Sequence, residues 1–222
     1  MSCSSNRSNL ISVTLFFSVS GGGSGGSIWI NCKTIKGKGS ITVYGGGGGR
    51  TSGGGGAGGR MAVYFAENST YTGYFRAMGG ASRVEAGGSG TIFLYHLVHT
   101  HRTLLLDNGG QHPLKHRIQD YSDLSQDGCR TWILPESGRH MFANSSHQFH
   151  FEELQIYGGA HLAIFTDPID TKVSFFFRHM IGDRTGTIHI ANNQVMDLTR
   201  HFLDLPFTPY IYEGNLLANY FY

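Results

Sequence analysis

Three histidines within six residues are the densest group of metal-binding side chains in the sequence: His96, His99 and His101. Imidazole is a common ligand of zinc and copper, and on a β-strand His99 and His101 would point to the same face. His96 reaches that face only if the strand bends, and no thiol or carboxylate pattern completes a site. Solvated or stacked histidines are therefore the favoured interpretation, and a metal site is the alternative.

Carboxylates are the second chemical possibility, because parallel β-helix proteins include polysaccharide lyases and hydrolases. Such enzymes place Asp or Glu side chains from neighbouring coils around a glycan for general acid–base work. Local clusters of acidic and basic residues occur at Asp167, Asp170 and Lys172, and at Asp183 with Arg184. Asp167 opens a predicted turn, and Asp183 lies in another one before Gly186. We expect no enzymatic activity, with a carbohydrate-active enzyme as the alternative.

Two glycine triplets match the G-x-G-x-x-G spacing of dinucleotide-binding loops, at residues 21–26 and 53–58. That motif binds a pyrophosphate only where it links a strand to a helix whose N-terminus faces the ligand. Both triplets here run into alternating β sequence. Chance matches are expected in a glycine tract, so we predict no cofactor.

Cysteines and glycosylation sequons favour an oxidising compartment. If a signal segment containing Cys3 is removed, Cys32 and Cys129 remain as an even pair and are the disulfide candidates. The triplets at Asn68 and Asn144 match the N-glycosylation acceptor. These features together predict a secreted or cell-surface protein.

The first twenty residues have two interpretations. A polar start with Arg7 precedes an apolar stretch over residues 10–19, which ends in small residues as a signal peptide does. The alternation of residues 11–15 suits a first β-strand equally well. A third sequon, at Asn6, lies within this segment.

The composition narrows the possible partners. The chain has 222 residues and a formal net charge of +2, which gives no electrostatic case for a nucleic-acid partner. No apolar run reaches the roughly 18 residues needed to span a bilayer. Of the 33 glycines, 24 lie between residues 21 and 90, so the glycine excess is local.

A repeat organises this glycine-rich half. Residues 26–30 are echoed by residues 59–65 and 90–95, with starting points 33 and 31 residues apart. A second apolar segment follows each copy, at residues 41–44, 74–77 and 104–106, and a glycine pair comes after each. Short strands bounded by glycine turns bury their apolar faces only when successive units stack.

We therefore predict an all-β fold, a right-handed parallel β-helix or β-solenoid with glycine-rich turns, with a β-sandwich as the alternative. Solenoid repeats occupy residues 21–110, a polar excursion loop residues 111–128, and less glycine-rich coils residues 129–222. Strands in the last region are predicted at residues 131–134, 149–151, 154–157, 161–165, 173–177 and 187–190. Gly158-Gly159 is either a hairpin turn or a coil corner. Residues 210–216 look like the start of a further coil, which predicts a fragment of a longer solenoid.

Several stretches resemble the glycine-rich β-solenoid segments of large, mostly uncharacterised extracellular proteins. They are residues 22–30 (GGSGGSIWI), 55–64 (GGAGGRMAVY), 151–162 and 181–190. The resemblance implies a solenoid fold and an extracellular setting. It brings no catalytic residues to carry over.

The expected function is a non-enzymatic structural, adhesion or matrix module, with extracellular matrix or glycans as candidate partners. A glycan-binding module is a further alternative, in which Trp29, Tyr44, Tyr64 or Tyr74 would act as sugar platforms. Outward stacking of these rings between coils is the favoured interpretation of the same residues.

Overall fold

The computed structural model describes residues 20–49, 52–67, 70–111, 130–133, 146–164, 172–190, 194–197, 206–211 and 215–217. Sixteen strands and no helix occur in these ranges, so the all-β prediction is confirmed. No helix long and apolar enough to cross a membrane occurs in them either. The predicted signal segment up to residue 19 and the predicted loop from residue 112 onward lie outside the described residues.

Eight strands occur in the glycine-rich half. They are β1 (Ser27–Cys32), β2 (Lys36–Gly37), β3 (Ser40–Thr42), β4 (Arg60–Phe65), β5 (Thr70–Tyr71), β6 (Tyr74–Arg76), β7 (Thr91–His96) and β8 (His101–Asp107). Strands β1, β4 and β7 pair in parallel, with Ser27 opposite Arg60 and Arg60 opposite Thr91, which are offsets of 33 and 31 residues. Two further parallel pairs, β2 with β5 and β3 with β6, form separate small sheets. The register therefore follows the sequence repeat.

Strand alternation decides which side chains enter the core. In β4, Met61 and Val63 are buried, whereas Arg60 is exposed. The first core consists of Val43, Met61, Val63, Ala77 and Ile92, with partly buried apolar neighbours from β1, β3, β6 and β8. Because successive side chains of a strand point to opposite faces, the residues between these point away from the first core.

Glycine segments between the strands pack backbone against backbone. At every third residue a backbone N–H donates to a backbone carbonyl of the next copy. The pairs are Gly22 with Gly54, Gly25 with Ala57, Gly55 with Glu85, and Gly58 with Gly88. A repeat of three residues is that of a polyproline II helix. A Cβ atom at Gly58 would overlap a backbone carbonyl oxygen of the neighbouring segment. Both G-x-G-x-x-G triplets lie in this glycine layer and lead into strands β1 and β4 rather than into helices.

The chain reverses direction between β7 and β8. These two strands form the only antiparallel pair in the described residues, with Ile92 opposite Leu105. Residues 104–106 do form a strand, but the prediction that they repeat β3 and β6 is wrong. Only residues 97–100 connect β7 to β8, and Thr100 has a φ of 51°, so this short turn reverses the chain. Seven residues separate β1 from β3 and allow a separate sheet.

Eight more strands follow. They are β9 (Arg130–Ile133), β10 (Ser146–Tyr157), β11 (His161–Ile164), β12 (Lys172–Gly182), β13 (Gly186–Ile190), β14 (Gln194–Asp197), β15 (Phe207–Ile211) and β16 (Asn215–Leu217). Together with β8 they form two rows of parallel strands, in the orders β8-β10-β12-β14-β16 and β9-β11-β13-β15. The first row continues the sheet of β1, β4 and β7 through β8, so one eight-stranded sheet spans both halves.

The two halves bury opposite faces of this shared sheet. The second core includes Leu104 and Leu106 of β8, whereas Leu105 packs against the first core. Adjacent residues of a strand face opposite sides. The remaining buried members of the second core are Leu154, Ile156, Ala160, Leu162, Phe175, Phe177 and Ile188. The buried face therefore switches at the β7–β8 hairpin.

Strand β10 is longer than the sequence predicts. Residues 149–151 and 154–157, predicted as two strands, belong to one strand of 12 residues. Gly158 and Gly159 have φ values of 60° and 72° and connect β10 to β11, which lies in a different sheet. The hairpin interpretation of this turn is wrong, because the turn carries the chain from one sheet to another.

Candidate functional site

Outward-facing rings form a row across β1, β4 and β7. Trp29 and Tyr64 stack with their ring centroids 4.8 Å apart. Tyr64 contacts Phe93 and Tyr95 edge-on, each at 5.9 Å. We call Trp29, Tyr64, Phe93 and Tyr95 the aromatic row. Trp29 is 71% exposed, so the row has an open end at β1.

The aromatic row follows from the strand pattern. Its members alternate with the inward residues of the first core, such as Met61 and Val63. At its other end Phe93 contacts Phe151 of β10 edge-on at 6.2 Å. The row therefore extends from an exposed indole to the junction with the second half, on the sheet face opposite to the first core.

A second outward cluster lies on the small sheet of β3 and β6. The guanidinium carbon of Arg76 lies 4.9 Å from the centroid of the Tyr74 ring. A hydrogen bond between the side chains of Arg76 and Tyr44 raises the pKa of Arg76. Tyr44 and Tyr74 are 42% and 62% exposed. We call these three residues the tyrosine–arginine cluster, and it presents aromatic rings together with a fixed positive charge.

The three histidines predicted as a metal candidate meet at the β7–β8 hairpin. The rings of His96 and His99 stack at 4.4 Å, and the backbone N–H of His99 donates to Nδ1 of His96 at 3.2 Å. His101 lies opposite His96 in the strand register. The residues that the structure describes contain no group of three or more His, Cys, Asp or Glu side chains placed to hold a metal ion.

A buried histidine pair in the second half is absent from the sequence-based prediction. Nδ1 of His161 and Nε2 of His189 lie 3.0 Å apart, and both side chains are buried. In such a contact one ring nitrogen donates and the other accepts. The two residues are separated by 28 positions and lie on neighbouring parallel strands, β11 and β13. His161 and His189 alternate with Leu162 and Ile188 of the second core, so the two imidazoles lie on the other face of these strands, where the sequence pattern does not predict burial.

Asp183, the acidic residue of a weighed acid–base cluster that the sequence places in a turn, stabilises a turn in the structure. Its carboxylate accepts hydrogen bonds from the backbone N–H of Gly158 at 2.9 Å and from that of Thr185 at 3.0 Å. Burial acts to raise the pKa of Asp183, but a hydrogen bond from the Thr185 hydroxyl at 2.6 Å and those from the backbone N–H groups outweigh it and lower the pKa. The neighbouring Arg184 has a φ of 66°. A carboxylate that stays ionised and engaged with turn N–H groups is poorly suited to act as a general acid.

Several predicted site residues lie outside the described residues. They are Asn68, Cys129, Asn144, Asp167 and Asp170. The thiol of Cys32 donates to the backbone carbonyl of Tyr64 at 3.7 Å. The disulfide between Cys32 and Cys129 and both glycosylation sites therefore stay predictions. Of Lys172, only the backbone position at the start of β12 is described.

No family model, curated protein or solved structure gives a significant match to this chain. The resemblance to glycine-rich extracellular segments consequently stays an expectation drawn from the residues. The features that bear on function are the aromatic row, the tyrosine–arginine cluster and the fold that presents them.

Proposed function

We propose that the chain is a β-solenoid module with a non-enzymatic structural or adhesive role outside the cell. The parallel register of β1, β4 and β7 repeats every 33 and then 31 residues, which supports stacked units of similar size. In such a stack each unit covers the apolar face of its neighbour. The parallel rows of the second half extend the same arrangement.

The observation that carries the proposed role is the aromatic row. Trp29 is 71% exposed, although it stacks on Tyr64. A contiguous apolar patch on a protein surface commonly marks an interaction site, and Trp and Tyr dominate the binding energy of many such sites. Because the rings stand on neighbouring strands of one sheet, their spacing is fixed before a partner arrives. This preorganisation lowers the entropy cost of binding.

Extracellular matrix and glycans are the candidate partners. The sequons at Asn68 and Asn144 and the even pair Cys32 and Cys129 support passage through the secretory route. A carbohydrate-active enzyme is the weaker alternative, because the described candidate carboxylate, Asp183, is engaged in a turn. The glycan-binding alternative has support of its own in the tyrosine–arginine cluster, which combines exposed rings with a guanidinium.

Bead retention tests the adhesive role. The full chain, produced through a secretory route, is coated on beads that are then washed over a cell-derived extracellular matrix. We expect retention well above that of beads carrying the urea-unfolded chain. Trp29→Ala should reduce retention about tenfold or more, since aromatic hot spots in an interface contribute about 2 kcal/mol or more. Val98→Ala is the matched control, because Val98 is 68% exposed but lies on the β7–β8 turn. Equal retention of all these samples contradicts the proposal.

A further inference from the structure

The tyrosine–arginine cluster is placed outward by two strands in register. In β3 and β6, Thr42 lies opposite Arg76, while Ile41 and Phe75 pack against the first core. Side chains that alternate with inward residues point to the outer face. Tyr44 follows the buried Val43, whose N–H donates to the carbonyl of Arg76 at 2.9 Å. Backbone pairing thus fixes the cluster, which does not depend on a loop.

The guanidinium of Arg76 is oriented by the ring of Tyr74, on which it stacks 4.9 Å from the ring centroid. The side chain of Tyr44 raises the pKa of Arg76. A guanidinium has five N–H donors in a planar fork, and stacking on a ring uses none of them. An oriented fork of this kind matches the paired oxygens of a carboxylate or a sulfate.

The net charge of the glycine-rich half favours an anion, although Asp107 is close enough to contribute to the raised pKa of Arg76. Residues 21–110 contain eight Lys and Arg and three Asp and Glu, although the whole chain has a net charge of only +2. Lys36 and Lys38 are exposed and lie just before β3. A local excess of positive charge attracts anionic partners and raises their rate of association.

We propose that the tyrosine–arginine cluster binds an acidic glycan. The guanidinium of Arg76 contacts a carboxylate or sulfate group, and the C–H face of a sugar ring packs on the exposed ring of Tyr74. The inference rests on the proposed extracellular function and names the chemistry of one partner. It assigns a site distinct from the aromatic row, since β3 and β6 form a sheet of their own.

Titration calorimetry of the full chain tests the site with three oligosaccharides of equal length. One is a sulfated glycosaminoglycan fragment, one an unsulfated oligouronate, and one a neutral oligoglucan. We expect at least one anionic oligosaccharide to bind about tenfold or more tightly than the neutral one. Binding of the sulfated probe alone identifies sulfate as the recognised group, and binding of the uronate alone identifies carboxylate. Affinity falls as salt is raised from about 50 mM to about 300 mM.

Matched variants distinguish binding at a specific site from attraction by the net charge of the chain. Arg76→Ala should weaken binding about tenfold or more, and Arg76→Lys should restore part of it without the planar fork. Arg60→Ala removes the same charge from an exposed position in β4 and should leave affinity nearly unchanged. Equal losses for Arg60→Ala and Arg76→Ala, or equal affinity for the neutral oligosaccharide, overturn the proposal.

The outcome also separates this inference from the broader adhesive role. Retention of beads on matrix that depends on Trp29, together with no binding of acidic oligosaccharides, rejects the glycan site and leaves the adhesive module standing. Binding that depends on Arg76, with no retention on matrix, supports the glycan site and rejects the role given to the aromatic row. Thermal unfolding at an unchanged midpoint verifies that each variant is folded.

Discussion

Arg102 and Glu152 join the two halves of the protein at the place where the chain reverses. The guanidinium contacts both carboxylate oxygens, at 2.9 and 3.1 Å, and the backbone N–H of Arg102 donates to the same carboxylate at 2.7 Å. The partners lie on β8 and β10, 50 residues apart. Burial acts to raise the pKa of Glu152, but the hydrogen bonds from Arg102 outweigh it and lower the pKa.

Glu152→Gln should destabilise the fold by about 1 kcal/mol, because it removes a charge-assisted, two-pronged contact that is only partly exposed. Urea unfolding measures the change. Glu67→Gln is the matched control, since Glu67 pairs with Lys33 at 2.8 Å where both side chains are more than half exposed. Exposed pairs contribute little, so this variant should stay near wild type. Equal effects of the two substitutions would show that the position of Glu152 has no special role.

Local features of the sequence account for the strands but not for contacts between distant residues. Apolar segments at fixed offsets from the glycines suffice to predict β1, β4 and β7. Residues 61–64 are apolar throughout, so the sequence does not show that Met61 and Val63 are the buried ones. The pairing of Arg102 with Glu152 leaves no local sign, because neither residue type nor spacing shows which strands become neighbours. The same limit applies to the histidine pair of β11 and β13.

The β7–β8 hairpin shows why a repeat can mislead. Leu104, Leu105 and Leu106 occupy the place that the repeat gives to a second strand, and the apolar pattern fits. The chain instead turns back within residues 97–100, and β8 begins at His101 and pairs antiparallel with β7. Leu105 then packs against the first core, while Leu104 and Leu106 are buried in the second core. The sequence offsets do not show the reversal, because Leu104 follows Gly90 by 14 residues and Tyr74 follows Gly59 by 15.

Acid should weaken the fold partly through Glu152 and Asp183. Both carboxyl groups have lowered pKa values in the folded state, so the unfolded chain binds these protons more readily. Their stabilisation is fully present above the ordinary carboxyl pKa of about 4 and is lost as the pH falls through the lower folded values. Urea midpoints measured from about pH 7 to about pH 2.5 should fall less steeply for the double variant Glu152→Gln with Asp183→Asn. Parallel curves for wild type and variant contradict this assignment.

The glycine layer should tolerate a methyl group at some positions and reject it at others. Gly58→Ala places a Cβ atom against the carbonyl of Ala77, which backbone pairing holds in place. We expect a loss of about 3 kcal/mol or more, because an overpacked backbone contact has no side chain that can move aside. Gly23→Ala is the control, since its Cβ would meet nothing within 4 Å. That variant should be neutral or slightly stabilising, by about 0.5 kcal/mol. Similar thermal midpoints for both variants argue against close packing of these segments.

The buried imidazole contact should appear as a coupling energy. His161→Leu and His189→Leu each remove one partner of a hydrogen bond between side chains that are 7% and 4% exposed, which costs about 1–3 kcal/mol. The double variant removes both polar groups, so its loss should be smaller than the sum of the single losses by about 1 kcal/mol. His150→Leu is the control, because the exposed His150 stacks on Phe176 without a buried polar contact, and it should change little. Urea unfolding of the four proteins of the cycle measures the coupling. Strictly additive losses would mean that the two rings stabilise the fold independently, and the 3.0 Å contact would then be a consequence of packing alone.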